Sequence, residues 1–160
     1  MNQKFITRII KQQGLTLKKV AEKLDAHPIA LGRRINKGTM CLKSICKVMD
    51  AAGLDTEFLM TKDISEQAMN LLKTKWTREG KTQNKRTGAL EDLKKEGIKY
   101  KQMAEIVNSD RMRIYSAVHQ TDNCSLEMMK QIAEGTGRYL VMRTRPKGTE
   151  DNDIRVELLS

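Results

Sequence analysis

Leu15-Thr16-Leu17-Lys18-Lys19-Val20-Ala21-Glu22-Lys23-Leu24-Asp25-Ala26-His27-Pro28-Ile29-Ala30-Leu31-Gly32-Arg33-Arg34-Ile35-Asn36-Lys37-Gly38 is the stretch from which the fold is read. Thr16 offers a side-chain oxygen to the unpaired amides of a helix starting at Leu17, so a helix is predicted over about 17–24. Asp25-Ala26-His27 makes a turn. Pro28, with its fixed φ and missing donor, suits the first position of a second helix over about 28–36, which Asn36-Lys37-Gly38 closes.

Outward from this pair, Phe5, Ile6, Ile9 and Ile10 form an apolar stripe ended by Gly14, and Leu42, Ile45, Cys46, Val48 and Met49 mark a helix over about 42–52 that stops at Gly53. The same plan recurs. An offset of 83 brings Lys11, Gly14, Lys18, Ala21 and Glu22 onto Lys94, Gly97, Lys101, Ala104 and Glu105, with the apolar positions in step. After a one-residue insertion the offset is 84, and Leu42, Ile45, Val48 and Gly53 meet Leu126, Met129, Ile132 and Gly137. Shared periodicity of this length points to a structural repeat, with helices over about 88–96, 100–107, 111–119 and 126–135 and Asp110 as a cap.

After each fourth helix the period becomes alternating. Strands are predicted at 56–60 and 139–143, and Pro146-Lys147-Gly148 turns the chain toward a hairpin partner at 153–158. The hairpin's open edge could pair with a second copy, giving a homodimer. Between the repeats, Ser65 is expected to cap a helix reaching about Arg78, with Ala68, Met69, Leu72 and Trp76 on its apolar side.

Two short helices about a tight turn, the second showing polar residues between buried ones, make a helix-turn-helix. The first braces across phosphates while the second fits the major groove. Val20-Ala21, the apolar Leu24, Leu31 and Ile35, and the closing Asn36-Lys37-Gly38 resemble the core of the phage-repressor (xenobiotic-response-element) helix-turn-helix family, over about 1–60 and less closely over 88–145. The resemblance implies a recognition helix that reads bases from His27, Pro28, Ile29, Gly32, Arg33 and Asn36. Arg33 can bond guanine twice, and Ile29 can touch a thymine methyl. Lys18, Lys19, Arg34, Lys37 and Lys43 would reach phosphates. Pro28-Ile29-Ala30 stand where the family usually has glutamines and serines. In the second repeat the corresponding readers are Arg111, Met112, Arg113, Tyr115 and Ser116, with His119 beyond them, and Lys81, Lys85, Arg86 and Lys101 are further phosphate candidates.

The expected fold is therefore mainly α: two tandem helix-turn-helix units of four to five short helices, each followed by a short strand, with a C-terminal β-hairpin. The divisions fall at 1–62, 63–87 (bridging helix and basic linker) and 88–160. Charge follows the same divisions. Of 30 Lys plus Arg and 20 Asp plus Glu, residues 1–64 hold 12 and 6, 65–87 hold 6 and 2, and 88–160 hold 12 and 12. The excess of +10 thus lies in the first half and the linker, a field suited to a polyanion.

Other classes fit less well. No apolar run approaches the roughly 18 residues of a membrane span, and the opening residues lack a signal-peptide core, so a cytoplasmic protein is expected, at the nucleoid when DNA-bound. Cys41, Cys46 and Cys124 are spaced for neither a disulfide framework nor a zinc site. His27 and His119 lie outside any nucleophile or metal motif, there is no phosphate-cradling glycine loop, and Glu91-Asp92 suits an exposed helix start. Neither an enzyme nor a cofactor is expected. The expected function is sequence-specific binding of double-stranded DNA by a repressor-type transcriptional regulator of a bacterial, plasmid or phage operon. The rivals are an antitoxin or inhibitor that grips a protein partner through the same scaffold, and a non-specific architectural DNA-binding protein.

Overall fold

Side-chain caps set several of the helix starts. In the computed structural model, which describes residues 4–38, 40–74, 76, 89–119, 124–148 and 153–159, the Thr16 hydroxyl accepts from the Lys19 amide at 3.2 Å. Asp110 accepts from the Arg113 amide at 2.8 Å, and Ser125 from that of Met128 at 3.1 Å. Among the described residues the chain forms α1 (Lys4–Gln12), α2 (Leu17–Lys23), α3 (Pro28–Lys37), α4 (Leu42–Ala51), β1 (Leu54–Thr61), α5 (Glu66–Leu72), α6 (Ala89–Lys95), α7 (Tyr100–Ile106), α8 (Arg111–His119), α9 (Leu126–Gly135), β2 (Tyr139–Pro146) and β3 (Arg155–Leu158). The architecture is mixed: helices on a three-stranded antiparallel sheet in the order β1-β2-β3. Gly38 ends α3 with φ 68°, a left-handed conformation that costs a side-chain-bearing residue strain.

The register of the sheet carries the most information. Phe58 lies opposite Met142, and an isolated antiparallel bridge joins Cys41 to Ser125. Both pairs are 84 apart, the offset of the sequence repeat. Each residue at the centre of the pairing therefore faces its own sequence equivalent, which gives the β1–β2 junction a local two-fold axis. One core crosses the junction, from Ile6, Ile10 and Met49 through Phe58 and Met142 to Met129 and Ile132. Alternation along the strands sends Leu54, Phe58, Leu140 and Met142 to this core. It sends Asp55, Glu57, Arg143 and Arg145 to the other face, where Trp76 lies 5.3 Å from the Arg143 guanidinium and 4.6 Å from that of Arg145.

Several expectations change. Both long strands run for eight residues rather than five, because each completes the other's backbone hydrogen bonding. One edge of the β2–β3 hairpin is taken by β1 of the same chain, and β3 lies at the edge of the sheet. The helix expected to reach Arg78 ends at Leu72. Its last carbonyls are taken by side chains, that of Leu71 by the Thr74 hydroxyl at 2.7 Å and that of Leu72 by Arg143 Nη1 at 2.7 Å. Trp76 is accordingly a sheet-covering residue, 5% exposed, and not part of a bridging helix. No helix of the described residues is long and apolar enough to cross a membrane.

Candidate nucleic-acid interface

Leu31 and Ile35 anchor α3 in the core, which fixes the outward face of the helix. Ile29, Arg33, Arg34, Asn36 and Lys37 are exposed, whereas Pro28 and Gly32 are half-buried. A Cβ on Gly32 would stand 3.5 Å from Leu17 of α2, so this position faces the neighbouring helix and is a packing residue before it is a reader. His27 caps the helix: its Nδ1 accepts from the Ile29 amide at 3.3 Å. A neutral ring bonded in this way carries its proton on Nε2, leaving a donor on an exposed side chain.

Lys18 and Lys19 on α2 and Lys43 at the start of α4 are exposed as well, so the phosphate candidates of the first repeat flank α3 on two elements. Arg34 is held in place, its Nη2 donating to Ser44 of α4 at 3.2 Å. Ser44 also lies 3.3 Å from the Cys41 sulfur. Burial alone would push the Cys41 thiol up, but hydrogen bonds from the Ser44 hydroxyl and from amides of the first turn of α4 outweigh it and leave the thiol below its ordinary value. Across the junction, burial pushes Cys124 up to about 12, the positive charge of Arg113 opposing the shift.

On α8, Ile114 and Ala117 are buried and Arg111, Met112, Arg113, Tyr115 and Ser116 are exposed. Tyr115 stands edge-on to Tyr100 of α7 at 6.0 Å, and Lys94 covers the Tyr100 ring at 3.8 Å. Lys101 is exposed on α7, where Gln102, rather than a hydroxyl, caps the helix by accepting from the Lys99 amide at 2.7 Å. The two helix pairs differ in charge: residues 13–38 hold six basic and two acidic residues, and 96–121 hold four and three. Lys81, Lys85, Arg86 and the side chain of His119 lie outside the described residues.

Sequence reasoning missed Ser44, which orients Arg34 from ten residues away, and the pairing of β1 with β2. The first has no local signal; the second was implicit in the common offset of 84. Among the described residues no group of His, Cys, Asp and Glu is placed to hold a metal ion. No family model, curated protein or solved structure matches the chain.

Proposed function

We propose that the protein is a site-specific double-stranded-DNA-binding regulator of the repressor type, in which α2–α3 and α7–α8 act as two helix-turn-helix units and α3 and α8 enter the major groove. The observation that carries this reading is the local two-fold axis through the β1–β2 pairing. Duplex DNA has dyads of its own, and a protein with two recognition helices related by a dyad can address two half-sites about one helical turn apart. Homodimers achieve this with two chains; here one chain supplies both helices. Further support comes from the basic surface of the first helix pair and from exposed Arg33, Asn36, Arg111 and Arg113, all able to bond base edges.

The test is an affinity selection from random genomic fragments at about 50 and 200 mM salt. Around five phosphate contacts give a slope near −4.5 in log K against log salt, about a 500-fold loss over that range. An enriched motif with salt-sensitive binding is expected. Absence of salt-sensitive binding would discard the reading.

A further inference from the structure

We infer that one chain occupies one operator whose two half-sites are unlike, sharing a thymine read by Ile29 in one half and by Met112 in the other, and differing in where a guanine stands. This inference rests on the DNA-binding reading. Its basis is a comparison of α3 with α8 position by position.

Ile29 is 62% exposed and Met112 71%, each the second residue of its helix, and they are related by the repeat offset of 83. A single exposed apolar side chain means little. Two large ones at positions related by the chain's own repeat mark a function common to both helices. In a major groove the apolar feature available to such a side chain is the thymine methyl.

Every neighbour of this shared position differs. Pro28, Ala30, Gly32, Arg33 and Arg34 correspond to Arg111, Arg113, Tyr115, Ser116 and Ala117. On α3 the guanidinium free to read a guanine is Arg33, one turn beyond Ile29, because Arg34 is tied to Ser44. On α8 the guanidinium groups flank Met112 directly, and one turn on there is only the short Ser116 hydroxyl. Guanine therefore falls at different distances from the shared thymine in the two halves. A homodimer must bind a palindrome; a chain whose two readers are separate segments need not.

The experiment uses the full chain and the duplex recovered by selection. Mass photometry should give one chain per duplex, and inverted repeats of either half-site should bind more weakly than the natural hybrid. Deoxyuridine in place of thymidine removes one methyl group, and in each half should cost about four-fold in affinity, the worth of one buried methyl. Ile29→Ala should abolish that loss in one half only and Met112→Ala in the other only; both side chains are exposed, and thermal melting checks that each variant is folded. Two chains on a palindrome, a motif with a single half-site, or uracil losses unchanged in both variants would each overturn the inference while leaving DNA binding intact. Failure to enrich any DNA would instead remove the reading beneath it.

Discussion

The pair Glu57–Arg143 gives the sharpest test of how the two halves are joined. Both side chains are 1% exposed and form an ion pair across the β1–β2 junction. Arg143 also donates to the Leu72 carbonyl at 2.7 Å and lies against Trp76. The dyad-related pair is Leu59 opposite Val141, so the same junction accepts an apolar pair of similar volume on its other side. Glu57→Val or Arg143→Leu alone leaves a buried charge without its partner, at about 3–5 kcal/mol each. Glu57→Val with Arg143→Leu copies the existing apolar pair and chiefly orphans the Leu72 carbonyl, at about 1–3 kcal/mol. The two single losses together reach about 6–10 kcal/mol, so a coupling of at least about 3 kcal/mol is expected in the double-mutant cycle. Urea unfolding followed by far-UV circular dichroism measures all four proteins, with unchanged m-values securing the comparison. A double variant whose loss equals the sum of the singles would refute the reasoning, as would single losses below about 1 kcal/mol, the range of exposed pairs.

Phe58→Ala, at a fully buried position on the dyad, should cost about 3–5 kcal/mol, and denaturant melts should show both halves unfolding together; separate transitions would contradict the shared core. Arg33→Glu should cost about 1–3 kcal/mol on a selected operator and far less on random DNA in fluorescence anisotropy; equal losses on both would remove Arg33 from base reading. Iodoacetamide followed by peptide mapping should label Cys41 well before Cys124, since one thiol is held below its usual range and the other pushed up to about 12. Because the folded state holds the Cys124 proton more tightly than the unfolded state, its contribution is complete below the unfolded value and is lost as pH rises toward about 12. Cys124→Ala should therefore flatten the fall in Tm above about pH 9; an identical fall in both proteins would contradict burial of this thiol.

Most helix starts were legible because their determinants are local. Thr16, His27, Ser65, Asp110 and Ser125 are caps within three residues of what they cap, and Gly38 and Gly53 take up left-handed conformations with φ 68° and 81°. The sheet was legible only in pieces. Alternation in 139–143 announces a strand but carries nothing about its neighbour, and β1 finds β2 across the whole of 62–138. Trp76 looked like a helix residue because Ala68, Met69 and Leu72 precede it at helical spacing. The carbonyls of Leu71 and Leu72 are captured by Thr74, a local donor, and by Arg143, which only the fold brings there.

The packing accounts for part of what the two halves keep and what they change. At the dyad the apolar residues Phe58 and Met142 face each other, and Cys41 bridges Ser125, so the backbone relation between the halves is preserved where both must fit. Leu59 and Val141 on one side correspond to Arg143 and Glu57 on the other, the side where the segment after β1 returns with Leu72 and Trp76. A charged pair is tolerated there because that segment supplies a carbonyl acceptor and an aromatic face; on the other side β2 is followed by the hairpin, and the apolar pair remains. On the outer surfaces of α3 and α8, Arg33 corresponds to Ser116 and Pro28 to Arg111. The identities of the repeat lie away from the axis, Lys18, Ala21 and Glu22 of α2 corresponding to Lys101, Ala104 and Glu105 of α7, so distance from the axis alone does not set which positions change.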